Sequence, residues 1–323
     1  MVVIEMITYN HENYIAQAIE SVVKQKTTFN FKLIICEDGS LDNTAKICTA
    51  YKKKYPEKID LYLNEKNIGV RLNAKKLHEL SFGSNAKYIA MLDGDDYWID
   101  ENKLQKQVDF LEANPDYTIC FHRVYEKLDT GKLRKGRLNT ETTERSYTID
   151  DLAVNNFIQT PSVVFRRVFE QLPEEVMSFP ILDYVIHLLN ASKGKIKYLP
   201  DLMAVYRIHN QGTFSMVDLK TRSKAVVRNI MLLMTLDLPT TVLESLRLQY
   251  LKVQEEYLIY LLTIEEFDTF AVEAKDFFNE HPERAIVWIY SRIPDFFKNL
   301  QTSKTYQLSK KLAKTARKLK LIS

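Results

Sequence analysis

One stretch constrains this chain more than any other: Tyr88 to Trp98, which reads YIAMLDGDDYW. Tyr88, Ile89, Ala90, Met91 and Leu92 have the length and apolar character of a buried strand, and they run directly into Asp93, Gly94, Asp95 and Asp96. Three carboxylates therefore meet at a strand end. Packed together they repel one another and resist desolvation, so the cluster destabilises a fold unless a cation neutralises it. Hard oxygen donors suit Mg2+ or Mn2+, and Mg2+ commonly takes one or two protein carboxylates together with substrate phosphates. The tetrad points to a metal-diphosphate site, with Gly94 letting the backbone turn between the acids. The same residues also fit a solvated acidic turn before a helix over Glu101 to Leu111, with Asp100 as its N-cap.

The chain has 323 residues, of which 46% are hydrophobic and 27% charged, enough for one large or two modest globular domains. A net charge of +3 is too small to imply a nucleic-acid partner. Cys36, Cys48 and Cys120 lie in apolar surroundings without a CxxC pair and read as buried free thiols of a reducing cytosol. Glu5 interrupts the first apolar run, so no signal peptide is expected, and no apolar run approaches the roughly 20 residues of a membrane span. These features together predict a cytoplasmic protein.

In chain order, an apolar strand over Val2 to Thr8 leads through the polar turn Tyr9, Asn10, His11, Glu12 into a helix. Its Ile15, Ala18, Ile19, Val22 and Val23 share one face. A second strand, Phe31 to Cys36, ends at Glu37-Asp38-Gly39-Ser40, and a third, Ile59 to Leu63, leads to Asn64 to Gly69 and a basic helix from Arg71 to Ser81. Tyr88 to Leu92 is the fourth. Strands alternating with helices predict an α/β fold, a parallel sheet covered by helices whose ligands gather at the strands' carboxyl ends. Tyr9, Asp38 and Asp93 to Asp96 all stand at such ends.

After Pro115 the pattern predicts strands at Tyr117 to Tyr125 and Ser162 to Phe165, separated by a polar loop or hairpin over Lys127 to Ser146. A helix is expected over Leu182 to Leu189, beginning at Asp183, followed by two strands, Ile196 to Leu199 and Met203 to His209. From Val217 onward the pattern is helical, giving a division into residues 1–215 and an added all-α domain over 216–323. The last segment, Lys304 to Ser323, carries Lys310, Lys311, Lys314, Arg317, Lys318 and Lys320 beside a stripe of Leu308, Leu312, Ala316 and Leu319. It suits either peripheral contact with an anionic membrane or a solvated terminal helix.

Five motifs stand in register: Met6-Ile7-Thr8-Tyr9-Asn10, Glu37 to Thr44, Asn67-Ile68-Gly69 with Asn73, Asp93-Gly94-Asp95-Asp96, and Tyr206-Arg207-Ile208-His209. In order and spacing the chain resembles the family 2 glycosyltransferases of GT-A fold over about residues 2–215. The resemblance implies a nucleotide-sugar donor, a divalent metal (Mn2+ or Mg2+), and the assembly of a bacterial surface polysaccharide. It sets Thr8 and Tyr9 against the base, Asp38 as acceptor of the base N–H, and Arg71 and Asn73 facing base or diphosphate. It also makes Asp93 the ribose contact, Asp95 the metal ligand, and Asp96 a partner in either role. An aromatic ring with a carboxylate acceptor suits uracil.

The family's catalytic base is a carboxylate at a helix start, and the matching place here is Asp183, preceded by Leu182 where the family usually has Glu. The helix N-terminus together with a nearby metal is expected to keep Asp183 ionised, although an N-capping role fits the same position. His209 matches a position that holds the metal or diphosphate in some relatives. Gln159, Thr160, Pro161 and Ser162 resemble the acceptor-side segment, and Trp98 suits either stacking on a sugar or packing in the core. The activity implied is inverting transfer from a UDP-sugar to a glycan or lipid-linked hydroxyl by a cytoplasmic enzyme, peripheral at the inner face of the plasma membrane if its basic tail adheres. A non-catalytic nucleotide-sugar sensor or scaffold is the alternative. A nucleotidyltransferase is disfavoured because no glycine- and basic-rich phosphate loop precedes Gly39.

Overall fold

In the computed structural model the described residues are 1–209, 218–264 and 266–285. The four apolar runs of the N-terminal half form β1 (Val2–Thr8), β2 (Phe31–Glu37), β3 (Ile59–Leu63) and β4 (Tyr88–Met91), joined by helices α1 (Ile15–Val23), α2 (Thr44–Lys54) and α3 (Val70–Phe82). β1 lies between β2 and β4, and all these neighbours are parallel, with Thr8 opposite Glu37 and Glu5 opposite Met91. The carboxyl ends of β1, β2 and β4 therefore share one edge of the sheet.

Side-chain alternation sorts the two faces. Val2, Ile4 and Met6 point into the larger core with Ile15, Ala18, Ile19, Val22 and Cys48, whereas Val3 points the other way, toward Ile34, Cys36 and Leu77. The face of α1 read from its periodicity is fully used, since all five of its apolar residues are buried. Each large aliphatic side chain so buried contributes about 1.5–3 kcal/mol.

Past the acids come β5 (Tyr97–Trp98), α4 (Lys103–Ala113), β6 (Tyr117–Leu128), β7 (Leu133–Lys135), β8 (Arg145–Tyr147), α5 (Ile149–Val154), β9 (Val164–Arg166), α6 (Leu182–Ala191) and β10 (Lys195–Ile208). The sheet order is β3-β2-β1-β4-β9-β6-β10-β5, so the parallel block continues into a mixed half. The polar segment after Lys127 is a hairpin, β6 pairing with β7. Two expectations are corrected here. The strands foreseen at Ile196 to Leu199 and Met203 to His209 are one strand, which passes Pro200 and Asp201 through register shifts against β6. The helix after Asp100 starts at Lys103 with Asn102 at its cap, and the Asp100 carboxylate instead accepts from the Asn102 N–H at 2.8 Å.

Helices α7 (Leu219–Leu233), α8 (Thr240–Thr263) and α9 (Phe267–Glu280) complete the described chain. Residues 1–209 with 228–249 belong to one compact unit, and 218–227 with 250–264 and 266–285 to a second. In the second unit Phe267, Phe270, Ala274, Phe277 and Phe278 make the buried face of α9. Among the described residues no helix is long and apolar enough to cross a membrane. The basic stripe over Lys304 to Ser323 lies outside the described residues.

Candidate active site

The floor of the site is a pair of interlocked turns. Asn10 takes a left-handed conformation (φ +53°), which asparagine tolerates better than most residues. That turn aims its backbone at the turn after β2. The Asn10 N–H donates to Ser40 Oγ at 2.9 Å, the His11 N–H to Thr44 Oγ1 at 2.8 Å and the Glu12 N–H to Asp42 Oδ2 at 3.0 Å. In return Leu41 N–H donates to Asn10 Oδ1 at 2.9 Å, and Asn43 donates twice to Glu12 Oε2. Gly39 (φ +66°) closes against the Lys66–Asn67 peptide, where a Cβ would sit 2.5 Å from the Lys66 carbonyl carbon.

The acidic tip stands beside this floor. Oxygens of Asp93, Asp95 and Asp96 lie within 4.8 Å of one another. Gly94 does not need a positive φ; what it supplies is proximity, since a Cβ there would lie 2.6 Å from Thr8 Oγ1 and 2.7 Å from Thr8 Cβ. The end of β10 folds over the tip. His209 Nε2 lies 2.9 Å from Asp95 Oδ2, and His11 Nε2 approaches the same oxygen at 3.9 Å. The Arg207 N–H donates to Asp96 Oδ1 at 2.7 Å, and its guanidinium donates to the Asp95 carbonyl and to Gln17. That guanidinium lies over Tyr97 at 4.4 Å and Tyr14 at 5.0 Å, cation-π contacts that fix its plane.

The acids differ in proton affinity. Burial, then the charges of Asp95, Asp183 and Glu5, push Asp93 well above the usual carboxylate range. Burial, then Asp95 and Asp93, does the same to Asp96. Burial also opposes ionisation of Asp95, but the hydrogen bond from His209 and the charges of His11 and His209 outweigh it and hold Asp95 below the usual range. Asp95 is thus the anion of the cluster. The donor set fits a hard divalent cation: oxygens with one imidazole, and a buried Asp96 Oδ2 that has no partner among the described residues.

The remaining expected residues take varied places. Thr8 is buried beneath Gly94, and Tyr9, half-buried, heads the turn after β1. Asp38 accepts from the N–H groups of Ile68 and Gly69, each at 3.0 Å, and from Asn64 at 2.9 Å, so both oxygens pin the 64–69 segment. Asn73 is buried, donating to the Cys36 carbonyl at 2.9 Å and accepting from Asn64, while Arg71 is exposed on the first turn of α3. Gln159 is half-buried with an Oε1 that has no partner among the described residues, and Thr160 opens the 3-10 turn Thr160–Ser162, whose Pro161 carbonyl accepts from Trp98 Nε1 at 2.9 Å.

At two places where two readings were open, the structure favours one of them. Trp98 does not offer a face to a sugar: it is 4% exposed, in the core, with Lys103 Nζ 4.2 Å from its ring centre. Asp183 is not an N-cap, because α6 starts at Leu182 and Ile181 holds the capping position without a side-chain bond. The helix end by itself does not keep Asp183 in the ordinary range. Burial raises its carboxyl despite a 2.7 Å hydrogen bond from the Tyr184 N–H.

Sequence reasoning passed over His11, Arg207 and Tyr14. Arg207 sits inside one of the five motifs and His11 directly follows another, and the signal was their spacing: each lies two residues from a residue already chosen, Tyr9 or His209.

Residues 3–172 match the profile of glycosyl transferase family 2. An uncharacterized protein of Mycobacterium tuberculosis (strain ATCC 25618 / H37Rv) is 38% identical over 208 residues, 64% of this chain, and the chain spans 58% of that relative's length. Among solved structures, Staphylococcus aureus TarS 1-349 in complex with UDP-GlcNAc is similar with a TM-score of 0.60 at 17% identity, over 88% of this chain and 82% of that one. The mannosyltransferase PcManGT of Pyrobaculum calidifontis, in complex with GDP-Man and Mn2+, is similar with a TM-score of 0.56 at 13% identity, over 98% and 86% of the two chains.

Proposed function

Since the chain belongs to glycosyl transferase family 2 and has the GT-A fold, we propose that this nucleotide-sugar-dependent glycosyltransferase moves a sugar with inversion from a UDP-sugar to a hydroxyl of a glycan or lipid-linked acceptor. The observation that carries the reading is the meeting of Asp93, Asp95 and Asp96 within 4.8 Å, with His209 on Asp95, at the carboxyl ends of the parallel strands. The UDP-GlcNAc complex of TarS and the GDP-Man and Mn2+ complex of PcManGT support a nucleotide-sugar donor on this fold.

Asp95 and His209 would hold Mn2+ or Mg2+, which when bound supplies positive charge against the leaving diphosphate. Thr8 and Tyr9 form the wall for the base, with Asp38 and the segment it pins closing the far side; Arg71 and Asn73 belong to the same flank. Asp93 faces the ribose and Asp96 fixes the end of β10 through Arg207. Asp183 accepts the proton of the acceptor hydroxyl while that oxygen bonds to the anomeric carbon and the carbon–diphosphate bond breaks. Its raised carboxyl suits a base working near neutral pH. Gln159 and Thr160 lie on the acceptor side. Peripheral membrane contact through the basic tail fits a lipid-linked acceptor, and co-sedimentation with anionic liposomes tests it.

Calorimetry with UDP-GlcNAc, other UDP-sugars and GDP-mannose, with and without Mn2+, followed by an assay of nucleotide release, tests the reading. Asp95→Ala should abolish Mn2+-dependent binding and Asp183→Asn should abolish turnover while retaining binding. Near-normal turnover in Asp183→Asn removes it as the base. Binding without turnover by the unaltered protein, across donors and acceptors, favours the sensor reading.

A further inference from the structure

The β6–β7 hairpin has two unlike faces, and the fold uses only one of them. Residues opposite one another in an antiparallel ladder share a face, and here Tyr125 stands opposite Lys135, Glu126 opposite Arg134 and Lys127 opposite Leu133. On one face the buried Glu126 accepts from Arg134 Nε at 2.8 Å and from the Arg137 N–H at 3.1 Å, which clamps the two limbs together. The other face carries Tyr125, Lys127, Leu133 and Lys135. Leu133 is 48% exposed and Lys135 is exposed, while Tyr125 and Lys127 are half-buried. The ion pairs of the hairpin join Arg134 and Arg137 to Glu126, leaving Lys127 and Lys135 without one among the described residues.

The sheet brings this face to the rim of the site. β6 runs parallel to β10, with Lys127 opposite Arg207 and Leu128 opposite Ile208, one strand spacing or ~4.8 Å apart. His209, whose Nε2 lies 2.9 Å from Asp95 Oδ2, is the next residue of the chain. The hairpin turn, closed by the Gly131 N–H on the Leu128 carbonyl at 2.8 Å, therefore flanks the acidic cluster. Past β7 the chain meets the segment expected on the acceptor side. Asn139 Nδ2 donates to the Phe157 carbonyl at 2.7 Å, and a Cβ on Gly136 would lie 3.6 Å from Gln159 Oε1.

A tyrosine, a leucine and two lysines on one outward face suit the boundary between water and lipid. The leucine enters the acyl edge, the tyrosine ring sits among the headgroups, and the lysine stems lie along them with their ammonium groups on lipid phosphate. A soluble polyanion would match the lysines but gives Leu133 nothing to bury against. We propose that this face of the hairpin docks on an anionic phospholipid bilayer, so that a lipid-linked acceptor enters the site from the membrane plane on the His209 side. The proposal rests on the lipid-linked form of the acceptor in the function proposed above, and it concerns a surface other than the basic stripe over Lys304 to Ser323.

A reporter on the hairpin itself tests it. Cys36, Cys48 and Cys120 are all buried, so in Leu133→Cys an environment-sensitive thiol dye is directed to position 133 of the full chain. With vesicles of phosphatidylglycerol and phosphatidylcholine its emission should shift to the blue and be quenched by nitroxide-labelled lipid, and phosphatidylcholine alone should leave it unmoved. Adding Lys127→Gln and Lys135→Gln should raise the lipid concentration needed for the response by about tenfold or more. A dye that anionic vesicles leave unmoved overturns the proposal, even where the chain sediments with them, because another part of it then makes the contact. An equal response to soluble polyphosphate, without quenching by nitroxide lipid, also overturns it and makes the partner a polyanion in solution. So does a double lysine variant that loses UDP-sugar binding in calorimetry yet keeps its vesicle response, since the lysines then serve the donor. Nucleotide release decides the transferase activity separately: a chain that transfers sugar while its hairpin ignores lipid keeps the activity and loses only this surface.

Discussion

The imidazole of His209 meets the carboxylate of Asp95 at 2.9 Å, joining the ends of β10 and of the loop after β4 across 114 positions of sequence. His209→Ala removes the contact that does most to keep Asp95 ionised against burial. The expected outcome is a loss of Mn2+ affinity of about tenfold or more at pH 7. The loss should be larger at pH 5, because the unpaired Asp95 carboxyl then rises and protons compete for it. Mn2+ titration by electron paramagnetic resonance at both pH values decides, and equal affinity of the two proteins would release His209 from the ligand set.

Gly94→Ala tests proximity rather than backbone freedom. The new methyl group would lie 2.6 Å from Thr8 Oγ1 and 3.1 Å from His11 Nδ1, so the acidic tip and the end of β1 must separate. A stability loss of about 1–3 kcal/mol is expected, with weakened nucleotide binding. Urea unfolding and calorimetry with UDP measure the two; a variant unchanged in both would mean that the tip shifts freely.

Asp38→Ala frees the N–H groups of Ile68 and Gly69 and the amide of Asn64 together. Losing these charge-assisted bonds should cost roughly 1–3 kcal/mol locally. Amide exchange at Ile68 and Gly69 should accelerate while the centre of β2 stays protected. Unaltered exchange at those two amides would show that the segment holds itself in place.

Lys103 is wholly buried, its Nζ has no hydrogen-bond partner among the described residues, and burial draws its pKa down to about 7. Below that pH the lysine is protonated whether the chain is folded or unfolded. From there up to the ~10.4 of an unfolded lysine the unfolded chain holds the extra proton, so stability from this group rises with pH. The Trp98 face at 4.2 Å offsets part of the penalty. Lys103→Met should therefore stabilise the protein at pH 7 by roughly 1–3 kcal/mol and flatten the rise between pH 7 and pH 9. Urea denaturation at both pH values checks this, and a destabilised variant would show that the charged form is the one the core accommodates.

The parallel half of the sheet was legible because its strands are nearly continuous apolar runs, each closed by polar or glycine residues. Where legibility failed, partners distant in sequence had decided. Pro200 and Asp201 read as a break, yet pairing of β10 with β6 carries the strand across them as an irregularity. Trp98 stood too near the acids to be judged locally; Pro161 and Lys103, one from a distant turn and one from the next helix, fix it in the core. Glu5 read as an interruption of a hydrophobic run, and only the approach of His78 on α3 explains its burial. The helix end at Asp183, with a metal nearby, suggested an ionised acid, and the backbone contact alone does not offset desolvation there.

Because the turn after β1 and the turn after β2 hold one another through reciprocal bonds from Asn10, Glu12, Ser40 and Asp42, neither can be exchanged alone. A graft of one turn from a relative with another nucleotide preference would arrive without its counterpart, and recombination at any point between Asn13 and Gly39 would part them. The two must be engineered as a single cassette.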